Sequence, residues 1–204
     1  MYDILTGRDD GVAPKTKISY DSIVTEAITI IKENGIEAVN ARSIAARLNC
    51  SIQPIFRNFS TMDELKAVVY KHAEEIYNKA MFDALENSGE GFLGMGLAYI
   101  NFAKSEQNIF KLLFMSNVFN NGSAADIAGT TKGDDDVIDL ISNLTNLNKS
   151  ESQELYTGIW FTTHGMASLL ATNNCTLSNE ETKKILNHVY EGLLYSIKKQ
   201  GEKI

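Results

Sequence analysis

Pro54 is the last proline of this 204-residue chain, and Pro14 is the only other one. Helix interiors exclude proline, because it lacks the N–H and its ring clashes with the preceding turn. Its near absence lets long helices run with little interruption to the C-terminus. The apolar residues recur at matching intervals. Ile23, Ala27, Ile30 and Ile31 predict a helix over 20–34, which Gly35 stops. Asn40 is placed to cap a second helix through Leu48. Asn49-Cys50 is a short turn, and Ser51 is placed to cap a third helix to about Asn58. A fourth helix opens at Ser60-Thr61, where Thr61 and Glu64 have capping-box spacing, and runs to about Leu85. The glycine-rich 87–96 reads as its break. Further helices are expected at 97–104, 109–115 and 134–147, and two long ones at 151–172 and 179–199. Residues 120–133 are small and polar and read as the least ordered interior stretch. With no strand pattern and no repeat, the fold class is all-α.

Charge divides the chain. The net charge of −7 argues against indiscriminate polyanion binding. Yet 36–60 holds Arg42, Arg47 and Arg57 against the single acid Glu37, while from Thr61 onward 12 Lys and Arg face 19 Asp and Glu. A small basic module therefore precedes a large acidic body. The division expected is an arm at 1–17, a three-helix unit at 18–60 and a larger helical unit at 61–204. Cys50 and Cys175 are too few for a disulfide framework, and MYDILTGRDDG lacks the pattern of a signal peptide. Both point to the cytoplasm. The longest uncharged stretch, 155–179, holds Thr, Asn, Ser, Gly and His throughout, so it reads as a buried helix, not a membrane span.

The stretch NARSIAARLNCSIQPIFRNF, 40–59, carries the densest information. Three helices with a sharp turn between the second and third form a helix-turn-helix layout; three ordinary core helices are the alternative. Ile55 and Phe59 lie one turn apart and are expected to bury against Ile44, Leu48 and the Ile30/Ile31 face, with Ala45 and Ala46 small at the crossing. Gln53, Pro54, Phe56 and Arg57 are then left for a partner. Pro54 is tolerable because first-turn N–H groups have no intrahelical acceptor. A helix this short is marginal alone, so it must exist by being docked.

At this point the residues resemble a family. IVTEAITIIKENGIEAVNARSIAARLNCSIQPIFRNFSTMDELKAVV looks like the DNA-binding region of TetR-family transcriptional regulators. The match includes the turn at Asn34-Gly35, R-x-I-A from Arg42, the Ser-started helix ending in an aromatic, and the polar turn leading to Glu64-Leu65. The remainder, with FKLLF from Phe110 and WFTTHGMASLL from Trp160, is similar to one type of regulatory domain in that family. The resemblance implies a homodimer with two reading heads on a double-stranded operator. It also implies an effector pocket in the C-terminal unit and a fourth helix linking pocket to head. A ligand-responsive repressor follows, and not an enzyme.

DNA contacts are expected from Asn40, Arg42, Ser51, Gln53, Pro54, Phe56, Arg57 and Asn58, with Lys15 and Lys17 as an arm in an adjacent groove. The family often has Tyr at Phe56, His at Asn58 and Lys at Met62, each touching phosphate. Their absence predicts weak non-specific affinity and a larger share for base readout. Gln53 is the candidate for adenine, with Pro54 and Phe56 on thymine methyls or sugars. One rival is a helical dimer acting through protein partners with weak or lost DNA binding. Another is a helical enzyme, against which the lack of any catalytic constellation counts.

His72, His164 and His188 show no metal-ligand spacing, so neither a metal nor a cofactor is expected. Asp134-Asp135-Asp136 reads as helix capping, and the glycines at 89, 91, 94 and 96 do not follow a strand. Phe102, Phe110, Phe114, Met115, Phe119, Trp160 and Phe161 are an aromatic-rich set. They form either core or the lining of an apolar cavity. His164, one turn from Trp160, is either a satisfied core histidine or a polar contact in that pocket. No Lys or Arg occurs from 151 to 181, so the effector is expected to be small, largely apolar, and neutral or cationic. The final helix carries Ile185, Leu186, Val189, Tyr190, Leu193, Leu194 and Ile197, a stripe wide enough for a dimer seam. Domain core is the competing explanation.

Overall fold

The computed structural model describes residues 18–87, 91–116 and 132–201. The expected arm with Lys15 and Lys17, Phe119, and most of 120–133 lie outside the described residues. Among the described residues the chain is all-helical, with no strand. The helices are α1 Tyr20–Asn34, α2 Ala41–Arg47, α3 Gln53–Asn58, α4 Met62–Asn87, α5 Gly91–Ser105, α6 Gln107–Phe114, α7 Lys132–Thr145, α8 Lys149–Ala171 and α9 Asn179–Gly201. None is long and apolar enough to cross a membrane.

Local chemistry explains the boundaries. Ser19 caps α1 reciprocally with Ser22, and Asn148 caps α8 reciprocally with Glu151. Gly35 ends α1 at φ 83, a conformation that costs glycine little. Asn49, at φ 48, turns the chain between α2 and α3 in the left-handed region that asparagine tolerates.

Two boundaries differ from expectation. Ser51 does not cap α3. Ile52 occupies the cap position in helical geometry (φ −70, ψ −16), and its carbonyl accepts the N–H groups of Ile55 and Phe56 at 3.2 and 3.3 Å. Pro54 is therefore the second helical residue, where its missing N–H removes no bond. The break at 87–96 is also shorter than expected, since α5 begins at Gly91. Packing of Tyr99, Ile100 and Ala103 outweighs the weak helix propensity of its glycines.

One apolar core runs from α1–α3 through Leu65, Val69 and Ala73 of α4 to Ile100, Phe110, Ala167 and Leu186. A second joins Ile138 and Ile141 of α7 to Leu155, Tyr156 and Ile159 of α8 and Ile197 of α9. Each large apolar side chain so buried contributes ~1.5–3 kcal/mol. α1 is further tied to α6: Lys32 Nζ meets Glu106 Oε1 at 2.8 Å, and Asn108 Nδ2 donates to the Lys32 carbonyl at 2.9 Å. α8 and α9 cross closely, since a Cβ on Gly158 would lie 2.6 Å from Leu193 Cδ1.

Candidate functional site

Asn40 builds the start of α2. Its Oδ1 accepts the N–H groups of Arg42 and Ser43, each at 3.0 Å, and its Nδ2 donates to Ala38 O at 3.2 Å. This side chain is largely engaged in capping. The turn to α3 closes with Cys50 N–H on Ala45 O at 2.9 Å. Ala45 is buried at the crossing, whereas Ala46, expected beside it, is exposed, because the two point to different sides of α2.

Ile55 and Phe59 anchor α3 in the core as expected. Gln53 and Arg57 are exposed, Pro54 is half-buried, and Phe56 is exposed. Asn58 turns back on its own helix, its Nδ2 donating to Pro54 O at 2.7 Å. Tyr20, which the sequence reading missed, stacks on Phe59 with ring centroids 4.7 Å apart. No local signal connects two residues so distant in sequence.

The arginines separate into two kinds. Arg47 pairs with Glu33 and lies 3.6 Å from Glu26, both on α1. The hydrogen bond to Glu33 holds its guanidinium above its ordinary pKa. Arg42 and Arg57 have no ion-pair partner among the described residues. Both are exposed, Arg57 on α3 and Arg42 on α2.

A second cluster lies between α4, α5, α6 and α8. Tyr99 meets the rings of Phe110, Phe114 and Tyr77, and Tyr77 meets Phe102. Trp160 stacks on His164, 4.9 Å apart and nearly parallel. The Tyr99 hydroxyl lies 2.9 Å from His164 Nδ1. Burial pushes the Tyr99 pKa far up and the His164 pKa down, so both are neutral at pH 7. Tyr99 is buried and keeps its proton, and the two neutral groups share one hydrogen bond between the hydroxyl and Nδ1.

The sequence grouped Met115 with these rings, but it is exposed and lines a groove of about 330 Å³ with Gly35, Ile36, Lys111 and Leu112. A second groove of about 220 Å³ lies between α5 and α9, at Leu93, Leu97 and Leu186. Neither is lined by Phe102, Phe110, Phe114, Trp160 or His164. Phe110, Phe114, Trp160 and His164 pack on one another instead, and Phe102 packs on Tyr77.

The residues expected at a dimer seam differ in burial. Leu186 and Ile197 are buried within the chain, and Val189, Tyr190 and Leu193 are partly covered by the second core. The wide stripe of α9 serves packing on one flank. Its exposed flank carries Ile185 and Tyr195, and α8 exposes Phe161 and Leu169.

No protein-family model matches the chain, and no curated protein matches it. Among the described residues no group of His, Cys, Asp and Glu is arranged to hold a metal ion.

Proposed function

We propose that the chain is a DNA-binding transcriptional regulator of the TetR type, a repressor whose hold on its operator responds to a small, largely apolar effector. One observation carries this reading. Gln53 and Arg57 stand exposed on a short helix whose opposite face, Ile55 and Phe59, is locked in the core. Residues 18–60 then form the reading head, with α2 and α3 as its helix-turn-helix and α3 entering the major groove. Gln53 pairs with adenine, and Arg42 and Arg57 hold phosphates. Arg47 holds α1 to α2 and takes no part in the contact.

The homodimer closes through the exposed flank of α8 and α9, at Phe161, Leu169, Ile185 and Tyr195. Two heads then face successive major grooves, ~34 Å apart. The effector enters at the Trp160–His164 edge of the aromatic cluster, where His164 Nε2 is the polar contact for it. α6 carries Phe110 and Phe114 of that cluster and also touches α1 through Glu106 and Asn108. A ligand that moves α6 shifts the heads only as far as it prefers one state over the other.

The test is a gel shift with the promoter DNA beside the chain's own gene. Specific retardation is expected, weakened by ~1–3 kcal/mol in Gln53→Ala. Sedimentation at micromolar concentration should show a dimer. Absence of retardation at low salt, with the dimer intact, would remove the repressor reading.

A further inference from the structure

The groove beside Met115 lies where the first helices meet the rest of the chain. One wall is the end of α1 and the turn after it, at Asn34, Ile36 and Glu37; another is α6, at Lys111, Leu112 and Met115. Its volume of about 330 Å³ is at the small end for a ligand site. A Cβ added at Gly35 would meet nothing within 4 Å, so the groove is open there.

The charges at this junction are not all matched. Lys32 pairs with Glu106, and Arg47 pairs with Glu33. Glu37 and Lys111 remain. Both line the groove, yet they form no ion pair with each other or with any other described residue. Ile36, Leu112 and Met115 make the rest of the lining largely apolar. The hydroxyls there are already engaged: Ser116 Oγ donates to Leu112 O at 2.6 Å, and Thr172 Oγ1 to Ser168 O at 2.7 Å.

A small ligand that matches this lining carries one positive and one negative group on an apolar body. A carboxylate alone leaves Glu37 unmatched, and an amine alone leaves Lys111 unmatched. α1 and α8 also end at the groove, at Gly35 and Thr172, and the partial negative charge of helix C-termini favours an ammonium.

We infer that this groove binds a free α-amino acid with an apolar side chain, its ammonium on Glu37, its carboxylate on Lys111 and its side chain against Ile36, Leu112 and Met115. The site is separate from the Trp160–His164 cluster and does not rest on the DNA-binding reading. An amino acid held there ties α1 to α6, the two helices that Lys32 and Glu106 already link.

The experiment is calorimetric titration of the full chain with L-leucine, L-methionine and L-phenylalanine, each at millimolar concentration. At least one is expected to bind. The amide of the tightest binder lacks the carboxylate, and its N-acetyl form lacks the ammonium. Each should bind about tenfold more weakly, the loss of one hydrogen-bonded charge. Lys111→Met should hold the amino acid no better than the parent holds the amide. Glu37→Gln should hold it no better than the parent holds the N-acetyl form. Both variants should melt with the parent, because neither side chain has an ion pair to lose. An amide or N-acetyl form that binds as tightly as the amino acid would overturn recognition of a zwitterion. No binding of any of the three amino acids, or binding that both variants keep in full, would overturn the site. Either result leaves the gel shift, and the reading it tests, untouched.

Discussion

α3 and α8 are held in opposite ways. α3 has 6 residues and is fixed by Ile55 within it and Phe59 just beyond it. α8 has 23 residues and buries Leu155, Ile159, Met166 and Leu170 along its length. A helix secured by two side chains leaves its other positions free to meet something outside. A helix secured along its whole length ties its polar residues into the interior, as Tyr99 and Trp160 do to His164. Exposure therefore marks the candidate contact on α3, and interior polarity marks it near α8.

The strongest way to break this contrast is Phe59→Ala. It should cost ~3–5 kcal/mol in urea denaturation, through lost burial and the cavity left under Tyr20. Hydrogen exchange should accelerate in the α3 amides more than in α8. Equal protection in both helices would show that α3 does not depend on its anchors.

Gly158→Ala probes the other side. The added methyl meets the Leu193 side chain, whose displacement should cancel most of the ~1 kcal/mol that alanine gains over glycine within a helix. A gain of that full ~1 kcal/mol would mean that Leu193 turns aside freely at this crossing.

Next comes Asn40→Ala, which leaves two N–H groups of α2 without their acceptor. A loss of ~1 kcal/mol is expected, with Asn40→Ser restoring most of it.

The pH dependence of stability sharpens the view of His164. Burial lowers its pKa in the folded chain below the ordinary 6.5. As pH falls below 6.5, the unfolded chain takes up a proton that the folded chain refuses. Its contribution to stability is thus complete above 6.5 and is lost progressively down to the folded pKa. Thermal melts of the parent and His164→Asn should diverge in slope over that window and run parallel above it.

The smallest effect distinguishes two arginines. Arg57→Ala should change stability by no more than ~0.5 kcal/mol yet lower the salt slope of operator binding by about 1. Arg47→Ala should leave that slope unchanged and slightly lower the melting temperature. A reversed pattern would place the phosphate contact on α2.

Helix positions were legible because they depend on spacing within one segment. Apolar residues at Ile23, Ala27, Ile30 and Ile31 define a face whatever it packs against, and Asn40 announces its own cap. The anchoring of α3 was readable for the same reason, since Ile55 and Phe59 share a face by their spacing alone. Ser51 misled because it is a good cap residue, while the actual cap position falls to Ile52 through backbone geometry.

Tertiary structure decided what local spacing leaves open, namely which partner each side chain meets. Arg42, Arg47 and Arg57 are alike in sequence, but only the crossing of α1 and α2 brings Glu33 to Arg47. The stripe of α9 has one period throughout, yet its packing on α8 turns Leu186 and Ile197 inward and leaves Ile185 and Tyr195 outside. Met115 follows Phe114 directly, yet only Phe114 joins the rings of Tyr99 and His164. Spacing along a helix follows from the fixed turn of the backbone, whereas contact between helices depends on their crossing angle and rotation. Those are set by the whole core at once.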